Sequence, residues 1–179
     1  MKLIIQSVRM LIAVTLLTGL VYPLAMTGIA NVVFPRQAQG SPTQLDGKLI
    51  GSDLLAQKFE NPRYFWPRPS AADYATVASG ASNKGPTSAD LAKAIDAQRA
   101  KFGADAPVDL LTASGSGLDP HISPEAAQFQ VERIAAERGL PAQRLAALVT
   151  QATEGPQLGL FGEPRVNVLR LNLLLDGIR

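Results

Sequence analysis

The stretch Gly115–Ser123, GSGLDPHIS, gathers the residue types that do chemistry: Ser116, Asp119, the single histidine His121 and Ser123. A serine, a histidine and an acid together suggest a hydrolase, with Ser116 as nucleophile, His121 as base and Asp119 orienting the base. The neighbouring residues argue against it. Ser116 has Ser114 two positions before it and Ser114 has Thr112, so no G-x-S-x-G elbow exists. Pro120 also holds Asp119 and His121 in one extended tripeptide, an awkward geometry for a relay toward a serine. A hard-cation site built from Asp119 and carbonyls is a second reading. The favoured reading is that Asp119 and Ser123 accept backbone amides ahead of a helix while His121 bonds locally. Docking of this loop on a partner, through Asp119 and His121, is the functional alternative to it.

The residues that are missing narrow the chemistry further. With no cysteine, the 179-residue chain has no disulfide, no Cys-based zinc or iron–sulfur site and no thiol nucleophile, and one histidine rules out a His-cluster metal site within one chain. Lys84 lies in a small-residue loop, SGASNKGPT, but the phosphate-binding pattern G-x-x-x-x-G-K-[ST] occurs nowhere. The segment from Asn61 to Ala75, NPRYFWPRPSAADYA, carries four of the ten aromatic residues between or beside Arg63 and Arg68. Its prolines forbid regular structure, which leaves two readings: an aromatic wedge in the domain's own core, or a preorganised contact surface built on Arg63, Trp66 and Arg68.

These groups must be positioned by a body of mixed helix and strand. A short helix is expected at 51–59, with Leu54, Leu55 and Phe59 at helical spacing, and a second, capped by Ser88, at 89–102. A strand or turn is expected near Val108–Leu111. Ser123, Pro124 and Glu125 start a helix that Gly139 closes, and Leu140-Pro141 leads into another that ends near Ala152 and buries Leu145, Leu148 and Val149. In the tail, Val166 and Val168 alternate whereas Val168, Leu171 and Leu175 step by helical spacing, so a strand running into a helix is expected.

Charge is distributed unevenly. Lys2, Arg9 and Arg36 are three of the 17 basic residues, and all 15 acidic ones come later, so the body carries 14 basic against 15 acidic groups and the pI of about 9.1 reflects the flanks of one segment. A near-neutral body lacks the clustered cations that nucleic-acid binding requires. Between Arg9 and Arg36 lie 26 uncharged residues, Met10 to Pro35. As a helix they extend about 39 Å, enough to cross a lipid core of about 30 Å. Ala38-Gln39-Gly40 resembles a signal-peptide cleavage site, but the run is longer than a signal h-region of about 15 residues, which favours a retained anchor. The chain is thus divided into a cytoplasmic N-terminus (1–9), a transmembrane helix (10–35), a Gln/Gly/Ser/Pro-rich linker (36–48) and an α/β domain of the α+β kind (49–179). Lys2, Arg9 and the terminal amine keep the N-terminus in the cytoplasm and send the body outside. Within the span, Thr15, Gly19, Pro23 and Thr27 recur every four residues as a small-residue stripe for another helix, and Pro23 predicts a kink by freeing the Gly19 carbonyl. Without an ionisable group the span cannot relay ions, so transported ions belong to other chains.

The span together with YFWPRPSAADY, GASNKGPTS, SGSGLDPHISPEAAQFQVERIAAERG and LGLFGEPRVNVLRLNLLLD resembles the C chain of the Kdp potassium-transporting ATPase, over nearly the whole sequence. The resemblance implies a non-catalytic accessory subunit of a bacterial inner-membrane pump. Its partners would be a potassium-binding A chain, an ATP-hydrolysing P-type B chain and a small F chain, besides membrane lipid. It also implies a catalytic chaperone that raises the B chain's affinity for ATP. No cofactor is implied for this chain alone. ATP enters only in complex with the B chain, with Gln151 at the position of the glutamine proposed to contact the nucleotide. The charge flanks and an ATP contact point to opposite sides of the membrane. The flanks carry more weight here, and the body is expected to cap the outer face of the A chain near its potassium entrance. A membrane-anchored periplasmic hydrolase and an anchored carbohydrate- or peptide-binding module are the alternatives from other classes.

Overall fold

A computed structural model of the chain describes residues 1–177; the last two residues of the predicted 49–179 body lie outside the described residues. Contacts divide it into two units, one up to residue 50 and one from residue 51 onward.

The first unit is dominated by a continuous 32-residue helix, Lys2–Val33, none of whose most apolar window is buried against the rest of the chain. It consists of α1 (Lys2–Leu16), a π-helical turn Leu17–Val21 and α2 (Tyr22–Val33). The wide turn lies directly ahead of Pro23. An α-helical ladder would drive the proline ring into the Gly19 carbonyl, whereas here the Tyr22 amide reaches back five residues to Leu17. The strain is absorbed as a π-bulge. The hydroxyl of Thr18 and the amide of Asn31 donate to the carbonyls of Val14 and Thr27, four residues back, so neither adds an unsatisfied donor to the apolar surface. Across the expected linker, α3 (Pro35–Ala38) is followed by a two-stranded hairpin of β1 (Pro42–Leu45) and β2 (Lys48–Ser52). Asp46 and Gly47 both take positive φ, 51° and 75°. That Asp-Gly pair between two short runs is the two-residue hairpin signal.

In the second unit the predicted 51–59 helix does not form. β2 continues to Ser52, one turn closes with the Leu55 amide on the Ser52 carbonyl, and the Ala56 amide then leaves to bond Leu118. A Cβ at Gly51 would clash with the Gln57 side-chain amide and come 3.2 Å from Leu169, so a larger residue there would have to displace the Gln57 side chain. Helix α4 (Ala89–Phe102) is as expected, its Ser88 hydroxyl accepting the Leu91 amide. Of the strand or turn expected at Val108–Leu111, the structure has the turn, a single helical one, α5. Leu110 and Leu111 are both buried.

A three-stranded antiparallel sheet, β3 (His121–Ile122), β5 (Arg165–Asn167) and β4 (Thr153–Glu154), has β5 in the middle, with Ile122 and Thr153 both opposite Val166. Against β5 pack α6 (Pro124–Phe129), α8 (Ala142–Ala152) and α9 (Val168–Asp176), with α7 (Val131–Arg138) packed on α6 and α8. Ser123 caps α6, Gly139 at φ 67° closes α7, and Asn167 ends the last strand by capping α9. The expected 124–138 helix is interrupted at one residue, Gln130. Phe65, Leu110, Ile134, Leu145, Val166, Leu171 and Leu175 are fully buried at the centre.

Candidate functional site

Two buried carboxamides build the aromatic loop. Asn172 on α9 accepts the Phe65 amide at 2.9 Å and donates to the Phe65 carbonyl at 3.0 Å. Gln130, at the break between α6 and α7, serves the next residue in the same way, accepting the Trp66 amide at 2.8 Å and donating to its carbonyl at 3.1 Å. Pro62, Pro67 and Pro69 keep this segment from pairing as a strand, so side-chain amides supply the missing ladder. Phe65 is thereby set in the core and Trp66 left half-buried. The Lys101 ammonium and the Arg133 guanidinium each lie 3.9 Å from the indole, and Phe102 meets it edge-on at 5.5 Å. Arg133 also donates to the carbonyls of Pro62 and Tyr64 and to Gln130 Oε1. Burial pulls Arg133 down to about 10, and burial together with the neighbouring Arg133 charge lowers Lys101. Of the proposed contact residues, Arg63 is exposed, while its carbonyl is held by Arg138, which pairs with Asp176 at 2.7 Å.

The loop continues past Arg68 into a turn in which the Ser70 hydroxyl accepts the amides of Ala72 and Tyr74, and Asp73 and Tyr74 both take positive φ. The Tyr74 hydroxyl donates to the Arg68 carbonyl at 2.8 Å, and burial, reinforced by Asp73, pushes it up to about 12. This turn brings Arg68 to Asp119 at 3.6 Å and so joins the two regions singled out in the sequence. Arg68, Asp119 and His121 line one cleft of about 250 Å³ together with Asp109, Ser123 and Arg165. Asp119 accepts the His121 amide at 3.0 Å, the Ser123 hydroxyl accepts the Ala126 amide, and Asp109 accepts the Ser123 amide at 2.8 Å. That is the amide-satisfying arrangement favoured from the sequence. The His121 ring lies 3.7 Å from the Asp119 carboxylate, but Ser116 is not among the residues lining the cleft and its hydroxyl accepts the Leu118 amide. Nothing here aligns the three as a hydrolytic relay. Among the described residues no group of three His, Asp or Glu side chains is arranged to hold a metal ion.

Burial alone would raise the Asp119 carboxyl. The His121 ring and amide and the Arg68 charge outweigh burial and hold it below the usual range. A depressed carboxyl contributes stability above its unfolded pKa and loses it as the pH falls through its folded one. Asp119→Asn is therefore expected to destabilise the chain near neutral pH by less than about 1 kcal/mol, since the pair is partly solvated, and the difference is expected to shrink as the pH falls below the ordinary carboxylate range. Denaturant titrations of both proteins at neutral and at acidic pH check it.

Gln151 is exposed in the last turn of α8, where the helix presents carbonyls rather than amides, an end that suits cations better than phosphates. Thr15, Gly19, Pro23 and Thr27 are all exposed along the long helix. A four-residue step in an α-helix drifts by about 40°, and the π-turn containing Gly19 takes up part of that drift. The residues that sequence reasoning missed are Gln130, Arg133 and Asn172. The available signal was a lone amide at a core position of an apolar helix: Asn172 between Leu171 and Leu175, and Gln130 one turn before Ile134.

Comparison with known proteins extends over the same residues. A family model described as the c chain of K+-transporting ATPase matches residues 4–177. A protein of Sorangium cellulosum named potassium-transporting ATPase KdpC subunit is 54% identical over 180 residues, covering 95% of each chain. One of the same name from Methylobacterium nodulans is 54% identical over 92% of each chain. A third, from Polaromonas naphthalenivorans, is 52% identical over 100% of this chain and 97% of its own.

Proposed function

Because this chain belongs to the KdpC family, the c chains of potassium-transporting ATPases, we propose that it is a single-pass accessory subunit that assembles and stabilises the pump from the outer face of the bacterial inner membrane. The observation that carries this reading is the uncharged, unburied stretch of the helix Lys2–Val33, bearing Lys2 and Arg9 at its first end. The helix packs in the membrane against an A, B or F chain through Thr15, Gly19, Pro23 and Thr27, and the body approaches the potassium entrance of the A chain. Arg63, Trp66, Arg68, Asp119 and His121 belong to the surface it offers there. The chain itself carries out no hydrolysis. Its effect on the ATP affinity of the B chain reaches that chain through the assembled complex rather than through a nucleotide contact at Gln151, whose place at a helix C-terminus disfavours phosphate.

Two measurements test this. Alkaline phosphatase fused to the C-terminus is expected to be active and a cytoplasm-only reporter silent; the reverse would return the body to the cytoplasm and restore a direct ATP contact. The tagged chain is expected to co-purify with much larger membrane chains. A Cβ added at Gly19 meets only a Thr15 methyl group at 4.0 Å, so the helix itself has room for a larger side chain. Gly19→Leu is accordingly expected to insert normally but to recover less of the complex, through a clash with a neighbouring helix. Unchanged recovery would remove the stripe from the interface.

A further inference from the structure

Between β4 and β5 the chain closes a tight loop in which Gln157 and Phe161 exchange both backbone hydrogen bonds, at 2.8 and 2.9 Å. The Gly159 and Leu160 amides bond back to the carbonyls of Pro156 and Gln157. On this fixed frame Leu158, Leu160 and Phe161 stand 88%, 81% and 64% exposed. Leu158 occupies φ 54°, the left-handed region where glycine or asparagine sits at lower cost. Three large apolar side chains held in water on a backbone that is already ordered form the kind of preorganised anchor that binding rewards, because little entropy is left to lose.

The charges around the loop select the partner. Its flanking ionisable residues are Glu154 and Glu163. The nearest cations along the chain are engaged: Arg165 with Glu154 at 3.3 Å, and Arg170 with Glu154 at 2.9 Å and with Asp53 at 2.7 Å. Those two arginines neutralise Glu154, which leaves Glu163 as the flanking charge; a loop that dips into lipid is normally flanked by Lys, Arg, Trp or Tyr, and Glu163 is repelled by anionic headgroups. A protein pocket with a basic side chain at its edge meets both the apolar tip and Glu163. Glu163 and Arg165 also line the His121 cleft, so the apolar centre adjoins a polar rim, as at protein interfaces.

We propose that Leu158, Leu160 and Phe161 form a hydrophobic knob that seats in an apolar pocket, edged by a basic side chain, on another protein chain of the pump complex. This rests on the reading of the chain as a subunit of that complex. The test uses the tagged full-length chain and three variants: Leu158→Ser with Leu160→Ser and Phe161→Ser; Leu158→Asn alone; and Glu163→Lys alone. Retention of the larger chains is expected to fall about tenfold or more in the triple variant, with the melting temperature unchanged. Leu158→Asn is expected to lower retention while leaving stability unchanged or higher, a pair of opposite signs that a merely structural residue does not give. Glu163→Lys is expected to weaken retention as well. Full retention in the triple variant overturns the proposal, as does a matching fall in its melting temperature. Retention strengthened by Glu163→Lys overturns it in favour of a lipid contact, and loss of self-association alone overturns it in favour of a second copy. Failure of the wild-type chain to retain any larger chain instead overturns the subunit reading itself.

Discussion

Asn172→Leu is expected to lower the stability of the chain by about 3 kcal/mol or more, a large fraction of what holds a domain of this size together. Leucine fits the volume and the helix, so the loss comes from hydrogen bonding. The Phe65 amide and carbonyl, both buried, lose their partners at 2.9 and 3.0 Å, and each unsatisfied group costs about 1–3 kcal/mol. Gln130→Leu is expected to behave likewise through Trp66, with a smaller loss because Trp66 is half-buried and water reaches part of it. Denaturant unfolding of the full chain, followed by fluorescence, measures both. Trp66 is the only tryptophan, so its emission reports on the loop directly. A loss below about 1 kcal/mol for Asn172→Leu would mean that the aromatic loop is held by its side chains alone.

Phe65→Ala is expected to cost about 3–5 kcal/mol, since Phe65 is fully buried in the central cluster and its removal leaves a cavity there. Trp66→Ala is expected to cost roughly half as much. It removes a half-buried ring and takes from Lys101 and Arg133 the indole that each approaches to 3.9 Å. Circular dichroism melts of the two variants give the comparison, and retention in the pump complex gives the other half of it. If Trp66→Ala leaves the melt unchanged and lowers retention, the ring acts as a contact for a partner; if both fall together, it acts as part of the domain. The two adjacent aromatic residues thus separate the readings that the sequence left open.

The elements legible from the residues alone were those whose signals are local. A run of 26 uncharged residues needs no tertiary information to be read as one long helix. Ser88, Ser123 and Gly139 act within one helical turn, so α4, the start of α6 and the end of α7 were readable from type and spacing. The same holds for the buried side of α8 and for the passage from β5 into α9, whose Asn167 cap is a contact across three residues. Family membership was legible for the same reason, because ordered strings of residues need no folding to be compared.

What only the tertiary structure decided depends on contacts between distant residues. The 51–59 segment has helical spacing, but Gly51 and Ser52 belong to β2 and the Leu118 carbonyl takes the Ala56 amide. The helix after Ser123 breaks at Gln130 where its amide meets a loop 64 residues earlier, and Asn172 reaches across 107 residues to Phe65. Arg68 and Asp119, 51 positions apart in the sequence, share one cleft. Periodicity records which face of an element is apolar, and it contains nothing about which distant backbone amide a buried carboxamide will find. The hydrogen bonds that shape the aromatic loop are of that second kind, made only once the core has closed around them.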